Sequence, residues 1–476
     1  LAIRSSSLSE DSQYQSLSGM YSTFMLPNNS ESLQERVDQV SEAIKRIYAS
    51  TFFVAPKSLI NKISHQIEEE KMAIIIMEMT GKNHTNRFYP TFSGVAQSYN
   101  YYTTSYIKRE DGVAYLALGL GKTVVDGNKT LRFCPKYPSL IHQFYSIKST
   151  IDSSQNKFYA LNINKGKNPM LKGESHNLKL YDLSVAESDN ELKHIGSVIP
   201  KNERILRDSL SYEGVRIASF SSILKWKSFP LSDILNELIE FGKESLGCPV
   251  EFEFAVNLYD DSKKKTTADF CVLQMKPMLI EGLIKNTNQL TEKPDNILFK
   301  TPLAMGDGMS SDIKNILMVK MDTFEASKTL EIAKELEKTN KLMSSKDPYL
   351  LIGPGRWGSS DPWLGIPVTW EQISGAKAIM EMSLEGLNVD PSFGSHFFHN
   401  LTNLRIGYLT QDKNNKTLDS KWIESCKLKK ETDYLKWFTL KKPLIIQIDG
   451  STGNALILKE PIKEEIILDE DESSGI

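Results

Sequence analysis

The sequence of 476 residues predicts a multidomain protein of α/β and α+β class. Its length implies two to four domains at ~100–200 residues per domain. Apolar residues recur at helical spacing in well-separated stretches and form short continuous or alternating runs elsewhere, so helices and strands are both required. Hydrophobic content of 40% and charged content of 25% are ordinary globular values, which argues against global disorder and against a membrane-embedded body.

The elements follow in order. Leu33, Val37, Val40, Ile44, Ile47 and Tyr48 lie at helical spacing within residues 30–54, and Ser32-Leu-Gln-Glu35 in front of them reads as a capping box. Residues 71–79 form an almost continuous apolar run, expected as a strand buried on both faces. Residues 113–118 and 123–125 read as strands separated by Gly119-Leu-Gly121. Residues 139–200, polar and irregular around 165–169, read as a loop-rich excursion. A helix is expected over 231–247, with Ile234, Leu235, Leu238, Ile239 and Leu246 on one stripe and Gly247 as its stop. Residues 250–258 and 269–274 form a hairpin around a charged loop at 260–265. A polar linker at 284–300, a third helix at 322–343 and a strand at 348–352 follow, the last running into a glycine, proline and serine loop through Pro362. Strands at 443–448 and 455–458 flank a turn at 449–453, and residues 464–472 are an acidic, frayed end.

Composition excludes several functions. A net charge of −3 provides no global field for nucleic acid or anionic lipid, so an anionic ligand needs a local cluster. The four cysteines, Cys134, Cys248, Cys271 and Cys426, show no C-x-x-C, which argues against a disulfide framework or thiolate zinc site and for a reducing cytoplasm. The longest apolar run, 72–77, is far short of the ~20 residues that span a bilayer. The chain opens at Leu1 without an initiator methionine, so a segment is expected to have been removed upstream.

Three clusters carry chemistry. In Val250-Glu-Phe-Glu-Phe-Ala-Val256, period-two alternation puts Glu251 and Glu253 on one face and Phe252 and Phe254 on the other. Symmetric pairing then sets Glu253 opposite Gln274 and Glu251 opposite Lys276. The patch suits Mg²⁺ shared with substrate phosphates; a solvated strand face with one cross-strand ion pair fits the same alternation. Arg4-Ser-Ser-Ser7 with Glu10-Asp11, followed by Ser18-Gly-Met-Tyr-Ser-Thr-Phe24, combines a guanidinium with hydroxyls suited to phosphate oxygens. Gly119-Leu-Gly121-Lys122 before Val124-Val-Asp-Gly127 lets backbone approach a ligand, or simply turns the chain, and matches neither a Walker loop nor a dinucleotide fingerprint.

In order and approximate spacing these motifs, together with Leu273-Gln-Met-Lys-Pro277, resemble the ATP-grasp nucleotide-binding domain of the phosphoenolpyruvate synthase and pyruvate phosphate dikinase family, over roughly residues 1–280. The resemblance implies phosphate contact by Arg4, metal and phosphate contacts by Glu251 and Glu253, and nucleotide binding by Glu78, Gly119, Gly121, Gln274 and Lys276. Lys276 stands where the family usually has arginine, which keeps charge but loses the planar two-point grip. The family's glycine-rich segment with a phosphate-binding lysine is expected upstream of Leu1.

In the family a swivelling domain follows and carries a phosphorylated histidine. Ala376-Lys-Ala-Ile-Met380, Gly394-Ser-His396, Arg405-Ile-Gly-Tyr408 and Ile448-Asp-Gly-Ser-Thr-Gly453 resemble a degenerate version of it. His396 is the candidate phosphocarrier and His399 its competitor. Phe397 and Phe398 replace the usual small residues, so a core or loop histidine is the alternative, and two histidines three apart also suit a metal on one helical face. Gly353-Pro-Gly-Arg-Trp-Gly-Ser-Ser-Asp-Pro362 matches none of these motifs. Its Arg356 with Ser359, Ser360 and Asp361 suits an anion or a dock against the first domain, while Trp357 and Trp363 suit a rigid packed loop.

The expected organisation is an ATP-grasp-like nucleotide-binding domain at 1–283, truncated at its N-terminus, a linker with a helix at 284–346, a smaller swivelling β/α phosphohistidine-like domain at 347–462 and an acidic tail at 463–476. The expected activity is Mg²⁺-dependent phosphoryl transfer from ATP to His396, with Arg4 and Lys276 neutralising phosphate charge and with pyruvate or another acceptor reached through a separate domain. The alternatives are a non-catalytic nucleotide-binding or interaction module and transfer to another small molecule.

Overall fold

The computed structural model describes residues 1–10, 19–53, 56–57, 70–101, 103, 107–164, 173–260, 266–278, 294–306, 308–343, 347–359, 361–383, 396–404, 406–411, 417–450 and 452–460. Outside them lie Asp11, Ser18, the run at 165–169, the hairpin loop at 261–265, linker residues 284–293, Ser360, Gly394, Ser395, Arg405, Ser451 and the tail 463–476, together with the side chain of His399.

Three sheets frame the molecule around the site. In the first, β1 (Ala2–Ser7) lies between β2 (Phe24–Met25) and β3 (Met72–Met77), and helix α1 (Leu33–Ser50) covers one face. Ser32 caps α1 by accepting the Glu35 N–H at 3.3 Å, as the capping box predicts, while the Glu35 carboxylate accepts from Ser30 instead. Ala43 and Ile47 pack on Ile3, Phe24 and Leu26. β3 is not buried on both faces: it is an edge strand in which α1 packs over Met72 and Ile74, while Ile75 on the opposite face and Ile76 toward the strand end are exposed.

The second sheet is antiparallel, in the order β8-β7-β4-β5-β6. Its strands are β4 (Phe92–Gln97), β5 (Val113–Leu118), β6 (Leu131–Phe133) and the hairpin β7 (Val250–Asp260) and β8 (Thr266–Pro277). Residues 123–125 are not a strand but part of a helical turn, α2 (Lys122–Val125). Gly119, at φ +81°, turns the chain away from β5, and the burial of Val124 there overrides its β-branched preference. The stretch at 139–200 is more regular than expected, with a helix at Ile147–Ser153 and strands at Lys157–Asn162, Leu178–Asp182 and Gly196–Pro200. These elements are short, and Leu178–Asp182 is largely exposed, which hid the period. Helix α3 (Leu231–Leu246) ends at Gly247 in the left-handed conformation, as the stop signal predicts. It buries Leu231, Leu235 and Ile239 with Phe252, Phe254 and Val256 of β7.

The third sheet has nine strands. Its centre is parallel: β9 (Gly308–Val319), β10 (Tyr349–Pro354), β11 (Ala376–Met382) and β12 (Gly407–Thr410), with helix α4 (Thr329–Leu342) between β9 and β10 and helix α5 (His396–Asn403) between β11 and β12. Antiparallel β13 (Leu435–Asp449) and β14 (Asn454–Leu458) extend it. β13 is longer than the expected strand at 443–448; Pro443 lies where its pairing with β9 shifts register, which tolerates a residue without an N–H. Strands Ile297–Thr301, Ala304–Met305 and β9 belong to this sheet and α4 packs into its core, so residues through 346 contain integral strands and a helix that begins at Thr329 rather than 322, where a linker with a helix was expected.

The second and third sheets share one core. Val95, Val113, Tyr115 and Ala117 from β4 and β5 cluster with Ile332 and Leu336 of α4, Phe397 and Leu401 of α5, and Trp357. At roughly 1.5–3 kcal/mol per buried large apolar side chain, this continuity firmly joins two units, the first built on the first and second sheets and the second built on the third sheet. Among the described residues, no helix is long and apolar enough to cross a membrane.

Candidate functional site

Period two decides what the hairpin presents. Phe252, Phe254 and Val256 enter the core under α3, so Glu251 and Glu253 face the opposite side, beneath the first and third sheets. The register pairs Glu253 with Gln274 and Glu251 with Lys276, as symmetric pairing about the loop predicts. Between Glu253 and Phe254 the register shifts, leaving Leu273 as an extra residue on β8. Such bulges re-aim neighbouring side chains beside functional clefts.

A cavity of about 350 Å³ opens above this face, within the size range of small-molecule sites. β1 contributes Arg4 and Ser5, and Glu78 and Met79 follow from the end of β3. The turn into α2 contributes Gly121, Lys122 and Asp126, with Lys122 and Asp126 paired at 3.0 Å. The hairpin contributes Glu253, Gln274 and Lys276. The third sheet closes the cavity with His396, the first residue of α5. Residues separated by almost 400 positions thus meet in one cleft.

The two carboxylates differ. Glu253 is half-buried and lines the cavity. Glu251 is 4% exposed and lies behind the cavity wall, held by Lys276 Nζ at 3.0 Å and by the Gln97 side-chain amide at 2.6 Å. Its negative charge therefore orients Lys276, which does face the cavity. Gly119 also lies behind the wall: its carbonyl accepts from Ser93 Oγ at 2.7 Å, and a side chain there would meet the Tyr159 carbonyl at 2.7 Å.

His396 is placed by its aromatic neighbours. Phe397 stacks on Trp370 with centroids 4.5 Å apart, and Phe398 packs edge-on against Tyr408 at 4.8 Å. The bulky residues that separate this segment from the small-residue pattern are thus buried anchors that fix the start of α5. Gly19 meets the imidazole closely, since a Cβ at Gly19 would lie 2.4 Å from His396 Nδ1. Tyr21, from the same segment, lines the cavity, and burial pushes its phenol well above the usual range, so it stays protonated.

Among the described residues, no group of three or more His, Cys, Asp or Glu is arranged to hold a metal ion. The carboxylates that line the cavity are Glu10, Glu78, Asp126 and Glu253, with the Gln274 amide opposite Glu253; Asp126 is paired with Lys122. Glu253 with Gln274 fits Mg²⁺ in the mode where a carboxylate and substrate phosphates share an otherwise hydrated ion; Glu251 is already engaged by a cation.

The sequence did not point to Met79, Ser93, Leu120, Ser175 or Leu178 as cavity residues. Small and apolar wall residues carry no chemical signature, so only the fold reveals them. For the Gly353–Pro362 loop, docking is what the geometry shows: Arg356 Nη1 and Ser359 Oγ both donate to the Gly127 carbonyl of the first unit.

The family model described as pyruvate phosphate dikinase, AMP/ATP-binding domain, matches residues 1–296. That span contains the first two sheets, and the third sheet follows it. No curated protein matches the chain.

Proposed function

From the premise that this chain belongs to the pyruvate phosphate dikinase AMP/ATP-binding domain family, we propose that the cleft binds Mg-ATP and passes a phosphoryl group to His396. One observation supports this above the others: His396 lines the same cavity as Arg4, Glu253, Gln274 and Lys276. Arg4 and Lys276 offset the charge of the phosphate chain, and Gln274 donates or accepts beside them. Bound Mg²⁺ supplies Lewis-acid polarisation of phosphate oxygens, and Glu253 is the residue that would hold it.

The acceptor step needs a neutral imidazole nitrogen, available near pH 7. It attacks a phosphorus of ATP, the bridging P–O bond breaks, and the shortened nucleotide leaves with the bond electrons. The imidazole proton then passes to solvent. Phe397 and Phe398, both buried, fix the start of α5, so that His396 lines the cavity proposed to hold the nucleotide. Onward delivery to pyruvate or another acceptor through a separate domain belongs to the same reading.

A second reading, a nucleotide-binding module without turnover, draws on the pairing of Lys276 with Glu251, which commits the ammonium charge to a protein carboxylate. Incubation of the full-length protein with ATP labelled at the β and γ positions separates the two. Acid-labile phosphohistidine in the parent and none in His396→Ala supports transfer. Equal labelling of both, or of neither, removes His396 as acceptor; if Mg-ATP still binds, the module reading stands.

A further inference from the structure

Phosphoryl transfer leaves one motif unused, the Gly353–Pro362 loop at the carboxyl end of β10. Gly355 and Gly358, at φ +68° and +73°, turn the chain so that Arg356–Trp357 pairs in parallel with Gly365–Ile366. Trp357 is fully buried and its indole N–H donates to the Met380 carbonyl at 3.2 Å. A Cβ at Gly358 would lie 2.3 Å from the Phe397 ring, so the loop also abuts the helix that begins with His396. Its position relative to the third sheet is therefore fixed.

From this anchored loop two side chains reach the first unit. Arg356 is 5% exposed and Ser359 is 2% exposed. Arg356 Nη1 donates to the Gly127 carbonyl at 3.0 Å, and Ser359 Oγ donates to the same oxygen at 3.1 Å. Ser359 Oγ also accepts the Asp361 N–H at 3.2 Å, which leaves its own proton for Gly127. Both lone pairs of one carbonyl are thus used, one by a charged donor. Gly127 ends the turn that starts at Gly119 and supplies Gly121, Lys122 and Asp126 to the cavity wall. Adhesion between the units already comes from their common apolar core. A buried guanidinium incurs desolvation that an apolar side chain would not, so a directional two-donor grip on a single atom adds register rather than adhesion.

We propose that Arg356 and Ser359 are positioning residues for the nucleotide site, clamping the Gly127 carbonyl so that the 119–127 turn keeps a set distance from the sheet that presents His396. This rests on the phosphoryl-transfer reading of the cleft. The grip acts through backbone, so neither residue touches the nucleotide itself.

The test uses Ser359→Ala, which deletes one donor, and Arg356→Lys, which keeps the charge but loses the planar fork. Ile352→Val serves as a control, because Ile352 packs on the opposite face of the same sheet. Three quantities are read in the full-length protein: the Mg-ATP dissociation constant by calorimetry, amide exchange across 119–127, and the thermal midpoint. Losing one such hydrogen bond should weaken Mg-ATP binding about threefold to tenfold and raise exchange in 119–127 by a similar factor. Ile352→Val should lower the thermal midpoint while leaving affinity and local exchange at parent values. Parent-like affinity and exchange in folded Ser359→Ala and Arg356→Lys would overturn the proposal and leave the loop as packing alone. If Arg356→Lys does not fold, Ser359→Ala decides. If the parent protein binds no Mg-ATP, the functional reading fails, and exchange across 119–127 alone decides whether the clamp exists.

Discussion

The wall of the cleft that carries Arg4 and the wall that carries His396 are held in different ways. The first is a three-stranded sheet whose core is Ile3, Phe24, Leu26, Ala43 and Ile47, and it leaves Leu33, Val37, Ile75 and Ile76 exposed. The second is the third sheet, continuous in its apolar packing with β4 and β5 and clamped at Gly127. A second polar contact, from Arg109 to the Gly450 carbonyl at 2.8 Å, ties the β13–β14 turn to the first unit as well. Local opening is easiest where few apolar contacts must be broken. The difference therefore places the easier local opening at the Arg4 wall and the firmer hold at the His396 wall.

The largest effect should come from the common core. Trp357→Ala removes a fully buried indole and should lower stability by about 3–5 kcal/mol, with the second and third sheets still unfolding together by circular dichroism and fluorescence. Two separated transitions would break the comparison. Nearly as large is Glu251→Gln, which strands the Lys276 ammonium in a buried site and should cost about 3–5 kcal/mol in urea denaturation. Its neighbour offers the contrast: Glu253→Gln should change stability by no more than about 0.5 kcal/mol while weakening Mg-ATP binding. Equal destabilisation by the two would erase the distinction between a tethering and a ligand-facing carboxylate.

Ile47→Val tests the other wall. It should cost about 0.5–1.5 kcal/mol and raise amide exchange in β1 and α1 while β4 and β5 keep parent values; a uniform rise would mean that all three sheets form one cooperative unit. The smallest effect concerns Glu381, buried beside Tyr408 and within the field of Arg356. Burial raises its carboxyl above the ordinary range, although Tyr408 and Arg356 pull the other way. The folded state then keeps a proton that the unfolded chain releases. That contribution is complete below the unfolded value of about 4.3 and is lost as pH rises through the folded one. Glu381→Gln should match the parent at acid pH and gain on it as pH rises, read from urea midpoints.

Elements specified by near neighbours were legible. Ser32 and Glu35 announced the start of α1, Gly247 the end of α3, the Glu and Phe alternation of β7 its two faces, and symmetric pairing about the loop the register of the hairpin. Elements whose environment decides them were not. Thr123, Val124 and Val125 favour a strand by residue type, yet the left-handed turn at Gly119 and the burial of Val124 place them in α2. The apolar run ending at Met77 looked buried because composition cannot tell a central strand from an edge.

At the cleft the same division holds. Arg4, Glu253, Gln274, Lys276 and His396 were all recognisable by residue type and motif, and those are properties of the chain itself. What only the tertiary structure decided is which of them share a cavity and which are spent on neighbours. Glu251 and Glu253 share one face of the strand, and the hairpin sets only Glu251 opposite Lys276; the contact with Gln97 of β4 buries that pair and leaves Glu253 facing the cleft. Arg356 was open to anion binding, docking or plain packing until Gly127 arrived from more than two hundred residues away. Local periodicity follows from backbone geometry, whereas burial and partnership follow from contacts between distant segments, and these exist only once the chain has folded.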